Sequence, residues 1–479
     1  MSRKNLADNQ AVTTGEPVKG TNFLPPLFQR RFITNATWVF VLMFIINTLN
    51  YLDRLIVAAV GPVLKDEFHI HDDQIGMLSS AFIIVYTLAT LPGGLLGDRF
   101  SRARVIAAGV AIWSALSAAT AFVTGFFGLF VTRALVGVGE ATYAPAGAAL
   151  LGAYFPVRIR GRVMGFWQSA QILGTVLAFG LSAFFLAHFT HNIAWRIAFF
   201  VAGAPGILVA AFMWFVADSP KRESHAESEA EAHEEGIIGE HGHLSFDGGW
   251  RGVFDDLRAA ARIRTVWVVA VLEAFVFILV TPAVTFLSIY LQSPAGPYHL
   301  KSTETAFITA TLIILGGGGG ILVGGFLADR LGQRYRGGRL IAVSIGFGLG
   351  VPFFTLALLT HSLPLFIILG VVAVLAINIP IGPLVAVVQD AAPVALRATA
   401  FSLALLIGHT LGDFWAPTAV GALSTALHEQ TGLALVIIGT PTLIVGSIVA
   451  AIGVRIYAAD IAARERAAEA AGLDANTTL

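Results

Sequence analysis

Along most of the chain, apolar runs of about twenty residues alternate with short polar interruptions. A helix needs roughly 20 mostly apolar residues to span a bilayer. Reading for such runs predicts spans near 35–60, 74–97, 104–124, 127–153, 163–188 and 194–217, then near 265–292, 303–328, 339–360, 363–388, 398–424 and 432–457. One connection is long and polar. From Asp218 to about Arg264 the chain carries the run Glu223-Ser-His-Ala-Glu-Ser-Glu-Ala-Glu-Ala-His-Glu-Glu235. It separates two sets of helices. The expected fold is an all-α membrane protein of twelve transmembrane helices in two pseudo-symmetric six-helix bundles. The expected parts are a segment 1–34, a bundle 35–217, a linker 218–264, a bundle 265–458 and a tail 459–479. Within the linker, Trp250 to Arg258 reads as an amphipathic helix on the membrane surface.

Composition supports lipid as the solvent. The chain is 56% hydrophobic and 13% charged, with a mean hydropathy of +0.77, whereas an average soluble domain is about a quarter charged. The formal net charge is zero, so there is no basic footprint for nucleic acid. Cysteine is absent, which excludes disulfides, thiolate metal sites and a Cys nucleophile. The first 34 residues carry Arg3, Lys4, Lys19, Arg30 and Arg31 and lack the apolar core of a secretory signal. The first helix is therefore expected to be uncleaved, with the N-terminus cytoplasmic. On that orientation the cytoplasmic segments hold 25 of the 30 Lys and Arg residues; Lys65, Arg196 and Lys301 fall outside, and Arg54 and Arg133 fall within helices. This bias satisfies the positive-inside rule and places both termini on the cytoplasmic side of the plasma membrane.

The chain also repeats itself. Gly94-Leu-Leu-Gly-Asp98-Arg99-Phe-Ser-Arg102-Ala-Arg104 follows the second span, and Gly325-Phe-Leu-Ala-Asp329-Arg330-Leu-Gly-Gln-Arg334 follows the eighth, the two Asp-Arg pairs lying 231 residues apart. Arg160-Gly-Arg-Val before the fifth span and Arg397-Ala-Thr-Ala before the eleventh match at 237. Two matches at nearly one period point to a duplication.

These loops, with Arg133-Ala-Leu-Val-Gly137-Val-Gly139 on the fourth helix and Asp218-Ser-Pro220 after the sixth, resemble the signatures of the major facilitator superfamily. Ser101 and Ala103 stand where that signature has Gly and a basic residue. Asn50-Tyr-Leu-Asp53-Arg54, Gly137-Val-Gly-Glu140-Ala-Thr-Tyr143 and His409-Thr-Leu-Gly-Asp413-Phe-Trp-Ala-Pro417 look like the spinster subfamily. That resemblance implies alternating access and export of lysolipids or sphingolipid-like amphiphiles, in some members coupled to protons. It also implies a central cavity lined by the first and fourth helices. Gln168-Ser-Ala-Gln171 occupies the stretch where drug/proton antiporters carry their Gly-Pro pattern.

Charges at membrane depth carry the chemistry. Each unpaired one costs about 2.5–3.5 kcal/mol at a helix centre on insertion scales. Asp53 and Arg54 lie past the middle of the first helix, and Arg133 in the outer part of the fourth. Glu140 is seven residues on from Arg133, about two turns or ~10 Å along the same face. Depth allows Asp53 to meet Arg133 and Arg54 to meet Glu140. One reading is a structural salt-bridge cluster. The other gives Asp53 and Glu140 the coupling proton, because a carboxylate's proton affinity rises with burial and falls beside an arginine. Asp413, one turn after His409, is either a packing residue or a second protonatable or substrate-facing group. Glu273 pairs with an inner-surface Arg or faces the substrate.

Asp98, Arg99, Arg102, Arg104, Asp329 and Arg330 form the expected inner gate, against the plainer reading of positive-inside anchors. By helix position, the substrate cavity is expected to involve Tyr51, Tyr143, Gln168, Glu273, Asn378, His409, Asp413 and Trp415. Thr281 is a further candidate, and Phe275, Phe277 and Phe286 offer an apolar wall. The glycines 316–320 suit tight helix packing; no Lys-Ser or Lys-Thr follows, so they are not a phosphate loop. His225, His233, His241 and His243 are loosely spaced among acids, which reads as disorder rather than a metal site. The expectation is a monomer that works with protons, uses no cofactor or metal and is not an enzyme. Its substrate is an amphiphile whose phosphate or carboxylate meets Arg54 or Arg133. The alternatives are a proton symporter of organic anions such as sugar acids and, in another class, a non-transporting scaffold or receptor.

Overall fold

The computed structural model describes residues 34–155, 157–218, 249–393 and 396–470. The segment before residue 34, residues 219–248 of the expected linker with its four histidines, and residues 471–479 lie outside the described residues, as do the side chains of Asp98 and Arg99.

The first half contains α1 (Ala36–Phe68), α2 (Asp72–Arg99), α3 (Arg102–Thr120), α4 (Phe126–Ala141), α5 (Tyr143–Tyr154), α6 (Val157–His188) and α7 (His191–Trp214). A short helix α8 (Gly249–Ala261) precedes the second half. That half contains α9 (Arg264–Gln292), α10 (Ser302–Thr311), a π-helical stretch (Leu312–Gly318), α11 (Gly319–Arg334), α12 (Gly338–Leu359), α13 (Leu363–Asn378), α14 (Ile381–Ala391), α15 (Arg397–Leu411), α16 (Ala416–Ala426) and α17 (Thr431–Ala470).

Among the described residues, eleven helices or collinear helix pairs are long and apolar enough to cross a membrane. The remaining span, the eleventh in chain order (397–426), is broken into pieces of 15 and 11 residues. Neither reaches the roughly 20 residues a span requires. The break has a local cause. Gly412 leaves the helical region at φ −100°, ψ −94°, and Pro417 has no N–H to return to the carbonyl of Asp413. The single helix expected over 398–424 is thus two. The fourth span is likewise α4 plus α5, interrupted at Thr142 ahead of Pro145, and the tenth is α13 plus α14, interrupted at Ile379-Pro380. In the eighth, the glycine run widens into π geometry, a form of helix distortion common at functional sites. The last helix continues to Ala470, past the expected boundary at 458.

Pseudo-symmetry appears in the packing. In the first half α1 lies along α6, and α3 along α7; in the second, α9 lies along α15, and α12 along α17. These are the first with fifth and third with sixth spans of each half, so the 231-residue sequence repeat is also a packing repeat. The halves meet through α2 with α16, α6 with α10, and α1 with α9. Glycine permits the closest of these approaches. A Cβ on Gly76 would overlap the carbonyl of Pro417, and one on Gly421 the carbonyl of Asp72.

The signature loop between α2 and α3 is held by a residue 117 positions further along the chain. Ser101 caps α3 and donates to Asp218 Oδ1 at 2.9 Å, and Asp218 Oδ1 also accepts from the Ala103 N–H at 3.0 Å. A carboxylate at a helix N-terminus is favoured by the helix dipole. The non-Gly residue at position 101 is therefore a cap, and the Asp-Ser-Pro that closes the sixth span anchors the third.

Candidate functional site

A central cavity of about 380 Å³ lies between the halves. Its walls are mainly apolar, from Leu55, Ala58, Leu78, Phe82, Leu279, Val284 and Ile313 among others, and its ionisable groups include Arg54, Arg133, His409 and Asp413.

On the first-half side, α1 presents Asp53 and Arg54 in succession, and consecutive residues on a helix point about 100° apart. Asp53 turns into the bundle and is fully buried. Its Oδ2 accepts from Arg133 Nη1 at 3.2 Å, its backbone carbonyl accepts from Arg133 Nη2 at 3.2 Å, and Ser117 of α3 donates to its Oδ1. Arg54 turns to the cavity and keeps a quarter of its side chain exposed. Its Nη2 donates to Glu140 Oε2 at 2.9 Å and its Nε at 3.3 Å. The rings of Tyr51, Phe82 and Tyr86 surround the guanidinium at 5.3, 5.1 and 4.6 Å, within cation–π range. Glu140 is fully buried, and its other oxygen, Oε1, has no hydrogen-bond partner among the described residues.

On the second-half side, His409 near the end of α15 and Asp413 at the break that follows it both line the cavity. His409 Nδ1 lies 3.0 Å from Asp413 Oδ1, and the imidazole stacks on Phe277 with centroids 4.1 Å apart. Thr281 donates to Asp413 Oδ2 at 3.4 Å. Asn378 lines the cavity at the end of α13, with its amide donating to Val374 O at 2.7 Å.

Four of the eight cavity candidates, Tyr51, Asn378, His409 and Asp413, reach the cavity, and Thr281 joins them. The other four do not line it. Tyr143 is core: its hydroxyl donates to Met43 O at 3.2 Å and accepts from Trp167 Nε1 at 2.6 Å. Gln168 is exposed and stops one turn short, whereas Gln171 lines the wall. Trp415 is 46% exposed and spends its indole N–H on Leu411 O at the helix break, 2.7 Å away. Glu273 is buried against Gly408, away from the cavity lining. Phe277 packs on His409, Phe275 is half-buried in the core, and Phe286 is fully buried in it. Sequence reading missed Ser117, Phe82, Tyr86 and Gln171. A small hydroxyl and common aromatics carry no signal until the helices are assembled.

The contacts that join the halves cluster at the end bearing Lys65. Its ammonium contacts Asp72 Oδ1 at 2.6 Å and also Glu429 from the other half, while His71 Nδ1 lies 3.2 Å from Glu429 Oε1. Asp72 is fully buried and accepts from Ser424 at 2.5 Å and Thr431 at 2.9 Å, both across the seam. Thr418 donates to Ser80 at 2.9 Å. At the opposite end, Arg102 and Arg104 are half-buried, with Arg104 over the Trp214 ring at 5.7 Å. Asp329 and Arg330 are exposed and bond to nothing among the described residues.

Residues 43–417 match the Major Facilitator Superfamily. The chain belongs to that superfamily. It is 27% identical over 404 residues to Protein spinster of Drosophila melanogaster, a match covering 82% of this chain and 62% of the fly protein. The chain thus spans less than two thirds of that relative. It is 34% identical over 188 residues to a protein of Escherichia coli (strain K12) named "Probable galactarate/D-glucarate transporter GudP", covering 38% of this chain and 41% of that one. Its fold matches a bacterial homolog of the human lysosomal transporter Spinster, in an inward-facing and unoccupied conformation, with a TM-score of 0.71 at 22% identity, covering 89% of this chain and 97% of that one. A D-xylose–proton symporter has the same fold, with a TM-score of 0.60 at 15% identity, covering 86% of this chain and 97% of that one. The chain is a multi-pass membrane protein of this superfamily, similar to spinster proteins and to proteins named as probable sugar-acid transporters.

Proposed function

We propose that the chain is a secondary active transporter that moves an anionic amphiphile, lysolipid-like or sphingolipid-like, by proton-coupled alternating access. The observation that carries this is the position of Arg54. It stands between a buried carboxylate and a cavity whose other walls are mainly apolar. An amphiphile needs both parts: apolar surface for its chain and a guanidinium for its phosphate or carboxylate.

The same geometry supplies a coupling step. Arg54 has one strong anionic partner, Glu140 Oε2, and Glu140 Oε1 is free to take a proton. Protonating Glu140 weakens its hold on Arg54 and frees the guanidinium for a substrate anion; proton loss restores the pair and expels the anion. Asp53 and Arg133 form the second such pair, more deeply buried, with Ser117 sharing the carboxylate. The Lys65 cluster closes one end, and on the cation bias that end is outward. The state described is then open to the cytoplasm, with both termini cytoplasmic in the plasma membrane. Asp98, Arg99, Arg102, Arg104, Asp329 and Arg330 would form the inner latch when that end closes. The working unit is a monomer.

A second reading is proton symport of an organic anion such as a sugar acid, favoured by the 34% identity with the Escherichia coli protein. Arg54 would then bind a carboxylate, and Gln171, Asn378 and Asp413 the hydroxyls. Purified protein in proteoliposomes, offered lysophospholipids, sphingosine-like amines and sugar acids with and without a pH gradient, separates the readings. Gradient-dependent movement of an anionic lysolipid supports the first, and of a sugar acid the second. Movement of nothing favours a non-transporting scaffold.

A further inference from the structure

Glu273 is 5% exposed, lies within a membrane span, and makes no hydrogen bond or ion pair among the described residues. Opposite it on α15 is Gly408, where a Cβ would stand 2.9 Å from Glu273 Cβ and 3.3 Å from Phe277 Cε2. One turn further along α9, Phe277 stacks on His409; a turn beyond that, Thr281 donates to Asp413. Glu273 is thus the closed end of a seam between α9 and α15 whose other end opens on the cavity.

Among the described residues, none of the charged groups on the neighbouring elements is bonded to Glu273. On α15, Arg397 has an interaction of its own and His409 is bonded to Asp413; on α1, Asp53, Arg54 and Lys65 are bonded to Arg133, Glu140 and Asp72; on α14, Asp390 is bonded to Arg339; on α17, Asp460 accepts from Thr265; Arg258 of α8 and Arg455 of α17 are exposed. α16 and α13 carry none. An unpaired charge at membrane depth is costly, and a carboxyl group with no cation or donor bonded to it avoids that cost by holding a proton.

We propose that Glu273 is a second proton-binding site of the transporter, loaded while α15 packs on α9 and emptied when that seam opens to water. It is separate from the Asp53 and Glu140 cluster and lies in the other half. The hinge for opening is the break at Gly412, which lets α15 move without carrying α16 away from α2. On opening, water entering from the cavity takes the proton as hydronium, and the carboxylate left behind is hydrated. On closing, the carboxylate regains a proton before it is buried. A metal cation is a poorer occupant, because no cluster of three or more acidic or histidine ligands occurs among the described residues.

The test reads the carboxyl group and does not require the substrate to be known. Infrared spectroscopy of the full chain in lipid nanodiscs at neutral pH should show the carbonyl stretch of a protonated, poorly hydrated carboxylic acid. That band should vanish in Glu273→Gln, persist in Asp53→Asn and return, shifted, in Glu273→Asp. Identical spectra for wild type and Glu273→Gln would overturn the proposal. So would loss of the band when sodium chloride replaces choline chloride at constant pH, since the ligand would then be a metal ion. A transport defect in Asp53→Asn with the band intact would separate this site from the coupling assigned to the first half.

Discussion

Arg54 on α1 and Glu140 on α4 meet at 2.9 Å, with the arginine a quarter open to the cavity and the glutamate fully buried behind it. One member of the pair is reachable by substrate and the other only through its partner. That asymmetry distinguishes it from the neighbouring Asp53–Arg133 pair, in which both side chains are at most 2% exposed.

Glu140→Gln should therefore remove the response of transport to a pH gradient while the protein stays folded, because the freed Arg54 can be hydrated from the cavity. Gradient-driven uptake and thermal melting in detergent check both halves of the statement. A normal pH response would remove Glu140 from the coupling role.

Asp53→Asn should be the more damaging change. It leaves Arg133 buried without an anion, and breaking a buried pair by removing one partner costs about 3–5 kcal/mol. The double variant Asp53→Leu/Arg133→Met removes both charges and should recover part of that loss without recovering transport. If the double variant melts below the single one, the pair is not the source of the destabilisation.

Gln171→Ala should weaken substrate binding, and Gln168→Ala should not. Gln171 lines the cavity and Gln168 lies outside it. A lost hydrogen bond of about 1–2 kcal/mol corresponds to roughly a 5- to 30-fold rise in apparent Kd. Concentration dependence of uptake, or binding to the purified variants, distinguishes them.

Gly76→Ala and Gly421→Ala should both bias the transporter toward the state open at the Lys65 end. Each adds a methyl where the facing helix carbonyl already sits, Pro417 for one and Asp72 for the other. The chain has no cysteine, so single cysteines placed near Lys65 can report accessibility to a water-soluble maleimide without background. Labelling should rise in both glycine variants.

Tyr143→Phe should cost about 1–3 kcal/mol of stability, because Trp167 Nε1 and the Met43 carbonyl lose their buried partner. Substrate affinity should be unchanged, as Tyr143 lies outside the cavity lining. A change in affinity without a change in melting would restore it to the binding site.

The sequence by itself determined the solvent, the number of spans, the duplication and the depth of each intramembrane charge. Those follow from one-dimensional quantities: run length against bilayer thickness, repeat spacing and residues per turn. Depth alone was enough to bring Asp53 opposite Arg133 and Arg54 opposite Glu140. What depth cannot give is rotation about each helix axis and the places where a helix stops being one. Rotation decided that Gln171 faces the cavity while Gln168 does not, and that Tyr143 turns inward to Trp167. Helix assembly also decided that His409 and Asp413 reach the cavity while Trp415 does not. Glu273 shows the same limit: its depth suggested an arginine partner or a place facing the substrate, but its neighbour is Gly408, and only the packing of α15 on α9 could decide that the carboxylate has no bonded partner among the described residues.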